Sequence, residues 1–232
     1  MLQAGTFARP RSIVVHLLHI AHKEGGIQML SYRTVEPHTL ELLKKLMAAK
    51  CLSGTRLVGG TGLALQYGHR MSVDIDLFGE MEDNDEAIKD VLRQAGQLTI
   101  LKESKDIKIY VIDRIKLDII HYAYPWIAPC IEEDGIRLAS PKDIAAMKIN
   151  AIEGRGTKKD FIDMYSLLQH YTLEEILKFY QQKYPEHSIF RALMSLSYFE
   201  DADAQLMPKM FIQTTWEEMK ADIQKQVEAY SR

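Results

Sequence analysis

Cysteine is scarce in this chain of 232 residues: only Cys51 and Cys130 are present. Two thiols cannot build the disulfide framework of a small secreted domain, and neither has metal-ligand spacing. Both are expected as buried thiols in a reducing cytoplasm. No apolar run approaches the roughly 20 residues of a membrane-spanning helix, which excludes an integral membrane protein of the helical kind. Basic charge is not in excess either. Lys and Arg number 29 against 32 Asp and Glu, a net charge of −3, so the global footprint of a non-specific nucleic-acid binder is missing. RNA held by a local patch stays open. Internal repeats and low-complexity tracts are also absent. What is present is ordinary globular material, with enough hydrophobic residues for one large domain or two small ones.

The segment 1–28 stands apart. It carries Arg9, Arg11 and Lys23 with a single acid, Glu24, and a short apolar patch, Ile13 to Ile20, broken by His16 and His19. No small-residue cleavage site follows the patch, which argues against a secretory signal. Lys23-Glu24-Gly25-Gly26 can be encoded by AAGGAGGG, a sequence resembling a bacterial ribosome-binding site shortly before Met29. Two readings stand level: a natural start at Met29 preceded by leader read as protein, or a short extra helix.

From Val35 onward the pattern is readable. Pro37 after Glu36, with Leu40, Leu43 and Met47 at helical spacing, predicts a helix. Arg56-Leu57-Val58 predicts a strand running into a turn at Gly59-Gly60. Thr61 to Tyr67 is compatible with a helix, Ser72 to Phe78 alternates as a strand, and Asp83 to Gly96 reads as a polar helix closed by its glycine. Leu98 to Leu101, Ile107 to Ile112 and Arg114 to His121 form a β-rich meander, and Gly135 to Leu138 a further short strand. Ser140-Pro141-Lys142-Asp143 combines an N-cap serine, a first-turn proline and an acid at the third position. Helices are predicted from there, over Lys158 to Gln169 and Thr172 to Tyr180, and from Thr215, where Glu218 completes a capping box. The break near Asp134 to Ser140 divides an α/β front half, 29–139, from an all-helical back half, 140–232.

The segment Val73-Asp74-Ile75-Asp76-Leu77-Phe78 places two acids in an apolar strand. Burying carboxylates is costly unless something pairs with them. Residues two apart on a strand share a face at roughly 6.5–7 Å, so Asp74 and Asp76 can converge on a hard cation. Mg²⁺ suits them, since it is commonly held by one or two carboxylates plus substrate phosphates. Asp118, alternating with Leu117 and Ile119, is the candidate third carboxylate and a candidate base for an attacking hydroxyl. Ahead of the aspartates, Gly59 and Gly60 permit close backbone approach, and a helix starting near Thr61 would offer its free N–H groups to an anion. A phosphate-binding turn followed by paired carboxylates is the equipment of two-metal nucleotidyl transfer, with ions about 3.5–4 Å apart.

The stretches LVGGTGLALQYGHRMSVDIDLF and SPKDIAAMKINAIEGRGTKKDFIDMYSLL together resemble the AbiEii-type nucleotidyltransferase toxins, a family that includes the MenT toxins. The likeness runs from about Met29 to the C-terminus. It implies an α+β fold, a polymerase-β-like mixed sheet with helices followed by a helical C-terminal domain that contributes to the site. It further implies Mg²⁺ or Mn²⁺ as cofactor, an NTP as substrate, a tRNA 3′ end as acceptor and a cognate antitoxin as partner. By this likeness Asp74 and Asp76 match the metal-binding aspartates, and Gly59, Gly60 and Thr61 the phosphate-side turn. Lys148 matches the lysine that meets the triphosphate, and Asp160 a further functional acid with Asp163 beside it. Gly60 stands where the wider superfamily usually has serine, a departure that AbiEii-type sequences share.

Other residues are weighed on their own chemistry. Lys148 lies among Ile144, Met147, Ile149 and Ala151, where a charge is unexpected. Arg155, Lys158 and Lys159 form a local basic cluster, read either as a solvated helix start or as phosphate contacts, with Arg155 and Lys159 favoured for nucleotide or RNA. Arg70 is a candidate nucleotide ligand and Ser72 a candidate for orienting Asp74. His121 and Tyr122 read as structural, and Trp126 as loop packing with stacking on a base as the alternative. Two other functions compete: a catalytically silent nucleotide-binding module that grips a partner, and a nucleotidyltransferase acting on a protein or small molecule.

Overall fold

The structure is a computed structural model that describes residues 29–81 and 85–231. The segment 1–28, with both readings of the Met29 start, lies outside the described residues, as do the first two residues of the helix predicted from Asp83. Seven strands form one mixed sheet: β1 Thr55–Leu57, β2 Ile75–Gly79, β3 Leu98–Glu103, β4 Ile107–Ile112, β5 Ile115–His121, β6 Ile131–Glu133 and β7 Ile136–Leu138. Their order is β3-β4-β5-β2-β1-β7-β6. β3, β4 and β5 are the predicted antiparallel meander. β5 then lies parallel to β2, while β1 is antiparallel to β2 and parallel to β7. β6 was not predicted because it is three residues long and two of the three are glutamates.

Helices α1 Pro37–Ala48, α2 Gly59–Tyr67 and α3 Asp85–Ala95 accompany the sheet. The chain then becomes helical, with α4 Pro141–Gly154, α5 Lys158–Leu168, α6 Leu173–Lys183, α7 Ile189–Leu196, α8 Glu200–Asp203 and α9 Trp216–Tyr230. The caps explain where these start. Ser140 Oγ accepts the Asp143 N–H at 3.1 Å, and Thr157, Thr172 and Thr215 each open a helix with a capping box, closed by Asp160, Glu175 and Glu218. α7 was not predicted, although Ser188 caps it and Ala192 and Leu196 recur on its buried face.

Two apolar clusters hold the layers together. One joins α1 and α3 to the sheet through residues such as Leu43, Leu46, Leu57, Ile75, Leu77, Leu117 and Ile119. The other gathers the back helices through Ile144, Ile149, Phe161, Met164, Ile176 and Tyr180, and takes in Val58 and Leu63. α2 is buried from Thr61 to Gln66 because it lies between them, giving Leu65 to the first cluster and Leu63 to the second. Each such leucine contributes about 1.5–3 kcal/mol by burial.

Two boundaries near the aspartates differ from expectation. α2 begins at Gly59, two residues before Thr61. β2 begins at Ile75 rather than Ser72, because Ser72 is taken by a single parallel bridge to Val35 and its N–H donates to the Thr34 carbonyl. Asp74 therefore precedes the strand, and Val73 is exposed instead of joining Ile75 and Leu77 inside. Among the described residues no helix is long and apolar enough to cross a membrane.

Candidate active site

β2 and β5 pair so that Asp76 stands opposite Asp118. Neighbouring strands lie about 4.8 Å apart, so the two carboxylates share one face at close quarters. Lys116, two residues back on the same face, donates to Asp118 Oδ2 at 2.6 Å. Asp118 Oδ1 is buried and has no hydrogen-bond partner among the described residues. Burial pushes the Asp76 carboxyl up to about 6, reinforced by the negative charges of Asp118 and Asp74 and opposed by Lys148 and Lys116. Two crowded acids with an orphaned oxygen make a place that a divalent cation would fit.

The predicted trio of Asp74, Asp76 and Asp118 is not assembled as such. Among the described residues, no three side chains of metal-ligating type gather into one ion site. Asp74 sits ahead of β2, and Lys116 holds one oxygen of Asp118. The pair Asp76–Asp118 is what the sheet brings together, the two residues that would hold a divalent cation.

The glycines have separate reasons. Gly59 has φ +64, and a Cβ there would lie 2.2 Å from Asp76 Oδ2, so its bareness lets the carboxylate close against the start of α2. That helix end has no side-chain cap, and its free N–H groups and positive dipole end favour an anion. At Gly60 a Cβ would lie 2.2 Å from Arg70 Nη2. The guanidinium thus occupies the room a serine side chain would need.

Behind this face lies a buried charge network. Arg70 grips Asp163 with two N–H groups, Nε to Oδ1 at 2.7 Å and Nη2 to Oδ2 at 2.8 Å. His69 Nε2 lies 2.7 Å from Asp163 Oδ1, and Lys148 Nζ 2.6 Å from Oδ2. Burial works against the ionised Asp163, but Arg70, Lys148 and His69 outweigh it and hold its carboxyl well below the usual range. Lys148 also donates to Asp160 Oδ1 at 3.0 Å, and burial is again overcome, so its ammonium is held above its ordinary value by Asp163 and Asp160. Arg155 binds Asp160 through Nε at 2.9 Å and Nη2 at 3.0 Å, and the Thr157 hydroxyl adds a donor at 2.6 Å. Against the opposing effect of burial, these cations depress the Asp160 carboxyl.

The predicted nucleotide ligands accordingly divide. Gly59, Lys148 and Arg155 line a cleft of about 340 Å³ together with Asp76 and Asp118. Lys148 has two of its three N–H donors committed to Asp160 and Asp163, leaving one for the cleft. Arg155 keeps an exposed guanidinium edge. Arg70, Ser72, Thr61 and Asp163, also predicted as contacts, are buried, already engaged and not among the residues that line this cleft. The Thr61 hydroxyl donates to the Asp74 carbonyl and lies 2.9 Å from Ser72 Oγ, fixing the approach to β2. Lys159 is exposed on the first turn of α5 but is not among the cleft residues. Lys158 is buried, its ammonium given to the carbonyls of Asp203 at 3.1 Å and Gln205 at 2.5 Å, so it does not belong to a solvent-facing basic cluster.

The sequence reading missed the other end of the cleft, built by Phe78, Ile120, Tyr122, Tyr124, Met147 and Tyr184. The signal was present in β5, where the alternation that places Asp118 also places Ile120 and Tyr122 on its face. Trp126 packs between cations, 4.4 Å from Arg56 and 4.7 Å from Lys183, and does not line the cleft.

Residues 41–231 match the family model described as nucleotidyl transferase AbiEii toxin, Type IV TA system. The chain is similar to the uncharacterized protein aq_aa25 of Aquifex aeolicus (strain VF5), 34% identical over 205 residues that cover 85% of this chain and 98% of that protein. In fold it is similar to JHP933 of Helicobacter pylori, with a TM-score of 0.50 and 18% identity over 84% of this chain and 92% of that one. It is also similar to MenT4, a nucleotidyltransferase toxin of Mycobacterium tuberculosis H37Rv, with a TM-score of 0.52 and 12% identity over 88% and 89% of the two chains.

Proposed function

The chain belongs to the AbiEii nucleotidyltransferase toxin family, and from that premise we propose that it transfers a nucleoside monophosphate from an NTP to the 3′ end of a tRNA, acting as the toxin of a toxin–antitoxin pair. One observation carries the reading: Asp76 and Asp118 stand in register with a buried unpartnered oxygen between strand and cleft, facing Lys148 and Arg155. Asp76 and Asp118 are the residues that would hold Mg²⁺ or Mn²⁺, with Asp74 near enough in charge to reinforce them. Such an ion supplies charge neutralisation and Lewis acidity toward phosphoryl oxygens.

The chain's own groups do the rest. The uncapped start of α2 receives phosphate oxygens on its N–H groups. Lys148 and Arg155 balance the charge of the departing pyrophosphate, and Asp160 and Asp163 keep Lys148 charged and in place. Lys116 holds one oxygen of Asp118, so the other oxygen serves either the ion or the proton of the attacking hydroxyl. The network of Arg70, His69 and Asp163 positions Lys148 without touching substrate.

The test is to incubate the protein with Mg²⁺, total RNA, cell lysate and each α-labelled NTP in turn. Label is expected in a tRNA-sized band from one NTP. Asp76→Asn is expected to lower labelling at least about 100-fold while the protein still folds, the scale of losing a group that acts on transition-state charge. Undiminished labelling by that variant overturns the proposal. Label in a protein or a small molecule changes the acceptor and keeps the chemistry, whereas NTP binding without pyrophosphate release supports a silent module. Growth arrest on expression, relieved by a co-expressed cognate antitoxin, tests the biological role.

A further inference from the structure

We propose that the end of the cleft remote from the carboxylates is a nucleobase site, with Tyr124 as its stacking platform. The inference rests on the nucleotidyltransferase reading and says where a base lies when the phosphates meet Asp76 and Asp118.

The cleft is graded along the strands. On β5 and its continuation the residues of one face are Asp118, Ile120 and Tyr122, and on β2 they are Asp76 and Phe78. Four residues of strand span about 13 Å, so the floor changes from anionic to aromatic over the reach of one nucleotide. A nucleotide is graded in the same sense, charged at its phosphate and flat and apolar at its base.

Tyr124 is 46% exposed although it lines the cleft. Its ring is held by two others, edge-on to Tyr184 at 4.8 Å and tilted against Tyr122 at 5.4 Å. The hydroxyls of Tyr122 and Tyr184 bond to each other at 2.7 Å. One proton serves that bond, which leaves the other hydroxyl a donor for the edge of a base.

The wall is also rigid. Asp143, completely buried, accepts the N–H groups of Ile127 at 2.8 Å and Ala128 at 3.2 Å. Lys183, equally buried, donates to Asp143 Oδ1 and to the Pro125 carbonyl, both at 2.8 Å, and lies 5.1 Å from the Tyr122 ring centre. The loop after β5 is thereby fastened to the start of α4 and the end of α6. Rings fixed before binding lose little freedom when a base stacks on them.

The base belongs either to the NTP or to the acceptor's terminal nucleotide, and the experiment separates these. KM for the NTP, KM for the RNA and kcat are measured for the native protein, Tyr124→Ala and Tyr124→Phe, with inorganic tripolyphosphate as a competitor without a base. Tyr124→Ala is expected to raise one KM about 5- to 150-fold, the span of base–aromatic stacking, with the change falling on KM rather than kcat. Tyr124→Phe restores the lower KM, since it keeps the ring. Inhibition by tripolyphosphate is the same in all three. A raised KM for the NTP assigns the donor's base, and a raised KM for RNA alone assigns the acceptor's. Unchanged KM values in Tyr124→Ala overturn the nucleobase site while leaving the nucleotidyltransferase reading intact, and so does an equal loss of tripolyphosphate inhibition. A native protein that labels nothing and binds no NTP overturns the nucleotidyltransferase reading, and the base site with it.

Discussion

A side chain at residue 60 would put its first carbon 2.2 Å from Arg70 Nη2. That nitrogen ends a flexible side chain, but it cannot move away freely because it is buried and bound to Asp163 Oδ2. Gly60→Ser is therefore expected to lower stability by about 1–3 kcal/mol, the usual range for overpacking, as read by urea unfolding. Asp163→Asn strips the countercharge from Arg70 and Lys148 together, and about 3–5 kcal/mol is the expected loss in the same measurement. The acids of the site were legible in the sequence because a carboxylate in an alternating apolar strand stands out. Arg70 was not, since its partner is 93 positions away and nothing local distinguishes a buried guanidinium from one that reaches a phosphate. Tyr122 reads as structural in the sequence for a similar reason: Phe78, against its ring, and Tyr184, bonded to its hydroxyl, lie on other elements.

Between α4 and α5 the chain turns at Gly156, whose φ of +49 suits glycine, and Asp160 ties the turn to both helices. Asp160 thus serves as capping-box acid and as counter-ion to Lys148 and Arg155. A carboxyl held low in the folded state contributes stability that is complete above its unfolded value near 3.8 and fades as pH falls toward its folded value. Asp160 and Asp163 both act in this sense, so the stability of the native protein should fall as pH drops from about 5. Asp160→Asn should be less stable at pH 7 and flatter below pH 5, as read by denaturant unfolding at several pH values. At this scale the sequence was most informative where capping chemistry is local, as at Ser140-Pro141-Lys142-Asp143 and Thr215 to Glu218. It was least informative where tertiary contacts decide: Ser72 pairs with Val35 rather than extending β2, and β6 exists because β7 offers it an edge.

For the molecule as a whole, two carboxylates facing each other in register make the cleft sensitive to pH and to cations. The Asp76 carboxyl, raised to about 6, disfavours the folded state as it ionises above its unfolded value. Mg²⁺ should relieve this and raise Tm at pH 7.5. The gain should shrink at pH 5, where a proton competes for Asp76; differential scanning calorimetry at the two pH values checks it. Each kcal/mol of binding corresponds to about 2–4 °C for a chain of this size. Asp76→Asn should melt higher than the native protein without metal at pH 7.5 and respond to Mg²⁺ weakly. That the chain turns helical after Ser140 was readable from its capping signals, but the burial of α2 between both clusters was not, because its sequence has no amphipathic face to reveal two neighbours.

The Arg70–Asp163 pair has a consequence for dissecting the protein. Cut between Ala139 and Ser140, the front piece would keep Arg70 and His69 with no acid to meet them, and the back piece would keep Asp163 and Asp160 without Arg70. Neither piece should fold well by itself. Expressed together they should find each other, each supplying the other's missing charge. Recovered activity would then report their meeting, which makes that junction a place to divide the enzyme into a two-part switch.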